Sequence, residues 1–282
     1  MNRRRKNELF TYVTWTAVVT CTAILLFLFG VILWNGLPAI NFQFLTEKAS
    51  DFGASGGIIN QITGSVLLVI FSAVICLPIA IGTAIYKSEY VKNQKLHTII
   101  NTLIYSLNGI PSVIFGIFGL ILFVNILGMG ISWIVGSIIL AMMILPTVTL
   151  STYHSINSIP TVYRESSLAL GLTKWQTISK VLLPQGFSGA ITGLLIGMAR
   201  AIGETAPIMF IATAFSGVAF PSSLLEPVST LPTHILALAQ QATNPAALQN
   251  AWGTSFVLIS LVVLFSLSAL CIRLKHQAIS KR

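Results

Sequence analysis

Six apolar stretches dominate this chain, at residues 10–34, 62–86, 98–127, 131–152, 186–215 and 252–272. Each has the ~20 residues that a helix needs to cross a ~30 Å hydrocarbon layer. Inside lipid a backbone must satisfy its own polar groups, so runs of this length predict helices. Only 8% of the 282 residues are charged and 55% are hydrophobic, against ~25% charged in an ordinary soluble domain. The expected fold is all-α, a polytopic membrane protein with six spans. The first run follows a basic start like that of a signal peptide, but it exceeds a typical apolar core and no small-residue cleavage site follows. It reads as a retained span.

The net charge of +9 would suit a nucleic-acid binder, but the positions of the charges argue otherwise. Fourteen of the sixteen Lys and Arg residues lie before the first span, in alternate connections, or after the last span. The intervening connections hold only Lys48, and Arg200 lies inside an apolar run. By the positive-inside rule both termini are expected in the cytoplasm. Cys21, Cys76 and Cys271 sit in apolar runs without metal spacing, and the four histidines are scattered. No metal site and no disulfide framework is expected. No G-x-x-x-x-G-K-[ST] occurs, so the chain cannot cradle ATP phosphates itself. No cofactor is expected, and any ATP would be bound by a partner.

One polar island interrupts the apolar pattern, from Tyr163 to Pro184. It predicts two short helices joined at Gly171, a position suited to positive φ. Thr173 and Gln176 form a capping-box pair opening the second helix. Trp175, Ile178 and Leu182 fall on one face of it, and Pro184 marks its end. An amphipathic loop lying on the membrane fits this pattern. A DNA-binding helix-turn-helix does not, because Arg164, Lys174 and Lys180 are too sparse a basic face for phosphate contacts.

Two spans carry polar groups. The third contains Asn108-Gly109-Ile110-Pro111, where a kink or break is expected near Leu107. It suits either a packing kink or a contact to substrate. The fifth carries Gly189, Gly193, Gly197, Ala201 and Thr205 at four-residue spacing, a flat stripe for close helix packing. Arg200 and Glu204 flank the stripe and are expected to face the bundle interior. Arg200 lies ~21 Å up a helix from Gly186, past the middle of the core. A charge there costs roughly 2.5–3.5 kcal/mol. Arg before Glu at i,i+4 is the less helpful order for a helix. Two readings stand: a buried ion pair that fixes packing, or an anion path in which Arg offers its fork of donors. Pro207 frees the carbonyl of Gly203 beside the pair.

Glu165, then Gly171, then Pro184 thirteen residues on, resemble the "EAA" loop of ABC importer permeases. Ser166 and Ser167 stand for the family's alanines, and Val181 for its isoleucine. The segments Ala199–Pro207 and Asn108–Gly116 resemble those of permease subunits of bacterial phosphate ABC transporters. The short amino-terminal region resembles the "A" permease of that pair. The resemblance covers roughly residues 60–272. It implies an amino-terminal span and outer loop at 1–60 and a permease transmembrane domain at 61–275, with the EAA coupling loop in the cytoplasm.

The resemblance further implies a permease subunit without its own ATPase site, in a bacterial plasma (inner) membrane. Its partners would be a second homologous permease, two ATPase subunits and an extracytoplasmic phosphate-binding protein. Glu165, Ser166, Leu168, Leu170 and Gly171 would form the ATPase-coupling knob. Arg200, Glu204, Thr205 and Asn108 would line the substrate path. The alternatives are a permease for sulfate, molybdate or another solute, and an ion-coupled anion carrier or channel. An intramembrane enzyme has no nucleophile–base constellation to support it.

Overall fold

The computed structural model describes residues 3–213 and 220–280. Its helices are α1 (Arg3–Gly36), α2 (Phe42–Thr46), α3 (Ile59–Ile85), α4 (Gln94–Gly109), α5 (Ser112–Gly119) and α6 (Trp133–Asn157). They continue with α7 (Thr161–Ala169), α8 (Lys174–Thr177), α9 (Leu183–Ala201), α10 (Ala206–Ile211), α11 (Leu231–Ala239) and α12 (Pro245–Ser280). Strand pairing among the described residues is limited to a two-residue hairpin, Ala49–Ser50 against Ser55–Gly56. Among the described residues five helical stretches are long and apolar enough to cross a membrane, and α4 with α5 makes a sixth if the bent pair is one span. The all-α polytopic fold is therefore observed.

The packed centre is α3, α6 and α9, with α6 between the other two. The small-residue stripe of α9 makes this possible. A Cβ on Gly189 would stand 2.2 Å from the Cβ of Ser155, and one on Gly193 would stand 2.5 Å from that of Ser151. Both lie far inside van der Waals contact, so only hydrogen fits there. The close approach also lets Ser151 Oγ donate to the Gly189 carbonyl at 2.8 Å. Pro78 and Pro146 are carried inside continuous helices. By contrast α1 is exposed from Phe10 to Gly30 and has α12 as its main helical neighbour.

The third span does more than kink. α4 stops at Gly109, α5 starts at Ser112, and their axes meet at 93°. The break falls at Ile110–Pro111 rather than near Leu107. Pro111 supplies no N–H to continue α4 and holds extended backbone at φ −56°, ψ 137°, which disfavours an α-helical Ile110 before it. The fifth span, expected to run unbroken over 186–215, is also divided. It ends at Ala201 and resumes as α10 at Ala206; residues 214 and 215 lie outside the described ones. Pro207 falls in the first turn of α10, where its missing N–H costs nothing. It therefore opens a helix rather than freeing a carbonyl within one.

The connection between spans five and six holds the short helix α11, whose Leu231, Pro232, His234 and Leu238 are buried, packed against α12 and α3. Its entry is held by the Leu231 N–H, which donates to Ser65 Oγ at 2.8 Å. Burial pushes the His234 imidazole down to about 4, so it is neutral at ordinary pH.

Candidate functional site

The two interrupted spans meet at their breaks. α5 crosses α10 so closely that a Cβ on Gly116 would stand 2.7 Å from Pro207 Cα. At the break in span five the chain tightens: Gly203 N–H donates to the Arg200 carbonyl at 3.1 Å and Glu204 N–H to the Ala201 carbonyl at 3.2 Å. Glu204 therefore stands in a turn beyond α9, not on it, and Thr205 immediately precedes α10. Arg200 closes this junction. Its Nε donates to Glu204 Oε1 at 3.3 Å, and its Nη1 reaches Asn108 Oδ1 at 3.5 Å. The structure thus brings together Asn108, Arg200 and Glu204, from both breaks. Thr205 sits beside them in the chain at the N-cap of α10, without a side-chain cap bond.

Arg200 does not face the bundle interior as expected, whereas Glu204 borders an interior cavity lined by Ser65, Leu68 and Leu140. The Arg200 side chain is 44% exposed and that of Glu204 16%. The stripe of α9 is consumed by α6, and one residue of helix turns Arg200 about 100° away from it. The interior is thereby closed to the guanidinium, which projects from the subunit. With five N–H donors in a rigid plane, and two engaged here, the group keeps donors for an external acceptor. Planar forks of this kind match the oxygens of carboxylate and phosphate. The partial burial of Glu204 holds the counter-charge within reach, so the cation has a partner when no anion is present.

The polar island folds into a separate knob. α7 ends in a Schellman motif: Leu172 N–H donates to the Ser167 carbonyl at 3.1 Å and Gly171 N–H to that of Leu168 at 3.0 Å. The motif requires a left-handed residue, and Gly171 has φ 78°. The capping box at Thr173 and Gln176 is present. Glu165, Ser166, Leu168 and Leu170 all point outward, with Leu170 81% exposed. Two expectations fail. Pro184 does not end the second helix; a wider π-type turn, Ile178–Leu182, leads α8 into α9, and Pro184 sits in the first turn of α9. That wider turn also shifts the facing, so Trp175 is exposed while Ile178 and Leu182 are buried.

Sequence reasoning missed Glu89. It stands in the turn Tyr86–Tyr90 after α3 and accepts from Arg164 Nη2 at 2.9 Å and Nε at 3.1 Å. Lys174 Nζ donates to its backbone carbonyl and lies over the Tyr90 ring. The connection between spans two and three therefore grips both helices of the knob. A lone acid within an otherwise basic connection, Lys87 to Lys95, was the available signal.

Residues 77–282 match the family described as "Binding-protein-dependent transport system inner membrane component". The chain belongs to this family. Related permeases match most of its length. The probable ABC transporter permease protein YqgI of Bacillus subtilis (strain 168) is 34% identical over 95% of each chain. The phosphate transport system permease protein PstA of Yersinia pestis is 32% identical over 93% of this chain and 88% of its own length. Among solved structures, a bacterial alginate ABC transporter in complex with its pentasaccharide-bound periplasmic protein superimposes with a TM-score of 0.61. It shares 17% identity over 98% of this chain and 96% of that one. An inward-facing form of the MetNI methionine transporter gives 0.56 with 19% identity, over 77% and 93% of the two chains. The latter two carry the fold alone.

Proposed function

We propose that this permease forms the translocation path of an ATP-driven importer for inorganic phosphate, as the "A" subunit beside a second homologous permease. Two ATPase subunits would dock on the coupling knobs, and an extracytoplasmic phosphate-binding protein would deliver the anion. Both termini would be cytoplasmic, in a bacterial plasma membrane. The observation that carries the reading is Arg200, a guanidinium with open donors, standing where two interrupted spans meet beside Asn108. Several relatives named as phosphate permeases support the cargo.

In this reading ATP closure draws the knobs together. Motion of α7 passes through Arg164 and Glu89 to the foot of α3, and through the turn at Ile178–Leu182 directly into α9, whose far end is Arg200. Chemistry stays with the ATPase subunits, and this chain needs no cofactor or metal of its own. The full complex in proteoliposomes should accumulate labelled phosphate only with ATP present. Excess unlabelled phosphate should abolish the signal while sulfate and molybdate leave it unchanged. Uptake driven by an ion gradient without ATP, or competition by sulfate equal to that by phosphate, would overturn the proposal.

A further inference from the structure

The turn Tyr86–Tyr90 grips the knob through Glu89 and has a second side. Lys87 reaches α6 while Glu89 reaches α7. Lys87 is 3% exposed, and its Nζ lies 3.6 Å from the centre of the Tyr153 ring on α6. A lysine at the end of a span ordinarily runs its ammonium out to water. This one is turned inward, and among the described residues no carboxylate pairs with it. The face of an aromatic ring attracts a desolvated ammonium through its quadrupole, so Lys87 and Tyr153 hold each other. The turn between the two contacts is stiff. It is closed by the Val91 N–H, which donates to the Tyr86 carbonyl at 3.2 Å, and the rings of Tyr86 and Tyr90 stack at 6.2 Å.

Tyr153 passes the contact on. Its hydroxyl bonds His97 Nε2 at 3.2 Å, and His97 Nδ1 bonds Asn101 Nδ2 at 3.3 Å. Both residues are on α4, with His97 in its first turn. The rest of α4 is loosely held within the chain. Ile104 is its one buried residue, and α6 is its main helical neighbour. The 93° break at Ile110–Pro111 ends its rigid continuity with α5. Its far end is Asn108, which reaches Arg200. α4 is thus a lever, tied by polar contacts at its foot and at its tip.

We propose that Lys87 and Tyr153 are positioning residues that link the knob to span three. A pull on Glu89 turns Lys87 against Tyr153, and Tyr153 carries the foot of α4 through His97. The inference rests on the importer reading above, in which nucleotide moves the knob. It adds a second route to the junction. The turn at Ile178–Leu182 drives Arg200 along α9, whereas the Lys87 route drives Asn108 along α4. Packed side chains, polar networks and rigid helices are the carriers of such coupling. Two routes to the two halves of one contact let the knob part Asn108 from Arg200. A guanidinium released by the Asn108 oxygen gains a free donor, so the hold of the junction on an oxyanion changes with the state of the knob.

The test uses the whole complex, with Cys21, Cys76 and Cys271 replaced and spin labels placed at Leu103→Cys on α4 and Leu264→Cys on α12, both exposed positions. The distance between the labels is measured without nucleotide and after trapping with ATP and vanadate. The parent should show a change between the two states. Tyr153→Phe keeps the ring under Lys87 and deletes the hydroxyl that meets His97; it should lose more than half of that change. Lys87→Met should lose it as well, and Lys87→Arg, which returns a cation to the ring face, should recover it. Phosphate uptake per ATP should fall and recover in step. A role in packing alone would lower the abundance of the complex and leave the distance change intact in what assembles. The parent's full change in either Tyr153→Phe or Lys87→Met, or no change in the parent, would overturn the proposal. A change lost in both variants of a complex that moves no phosphate would leave the link standing and remove only the cargo.

Discussion

Arg200→Gln should abolish the proposed phosphate transport while the complex still assembles and still binds ATP. The expected fall is roughly a hundredfold, since the fork's hydrogen bonds to a charged group are worth ~1.5–3 kcal/mol each and each 1.4 kcal/mol is tenfold. Glutamine keeps two donors but loses the charge and the planar fork. Arg200→Lys keeps the charge as a point and should still lose much of the rate. The fold should survive both changes, because the guanidinium is 44% exposed and packs no core residue. Uptake measured at matched membrane abundance, with co-purification of the ATPase subunits as the assembly check, decides the matter. Wild-type uptake by Arg200→Gln would place the residue outside the path.

The second large effect belongs to the knob. Gly171→Pro should leave ATP hydrolysis running while uptake per ATP falls about tenfold or more. Proline fixes φ near −65°, whereas Gly171 holds 78°. It also removes the N–H that donates to the Leu168 carbonyl. The C-terminal turn of α7 must then unwind and carry Leu168 and Leu170 away from the exposed positions they hold on the knob. Gly171→Asn supplies the control, because asparagine tolerates the left-handed region and keeps the N–H. Coupling should return with asparagine. An unchanged ratio of uptake to hydrolysis in Gly171→Pro would show that α7 does not transmit the stroke.

Much of the fold was legible because lipid imposes a blunt rule. Long apolar runs became helices, the four-residue stripe of α9 became its contact with α6, and Gly171 and Thr173 took the conformations their types demand. The misses share a cause. Periodicity sees a continuous helix through Arg200 and Glu204, since both sides of Ile202–Thr205 are apolar and nothing in a helical wheel marks a turn there. Pro207 was read as a fault inside a helix when it opens a new one. The direction of Arg200 followed from the choice of helix α6 as the partner for the stripe, which only tertiary packing reveals. Glu89 was hidden for the same reason: its partner Arg164 lies seventy-five residues away.

The charge-swapped double variant, Arg200→Glu with Glu204→Arg, tests the central claim most directly. The pair spans a break between helices, so a purely structural bridge has the freedom to re-form in reverse. A path that needs a cation on the end of α9 beside Asn108 does not survive the exchange. Phosphate uptake is measured in the assembled complex at matched abundance. Uptake as low as that of Arg200→Gln is the predicted result; near-normal uptake would contradict the account and leave the pair as a clamp on the fold.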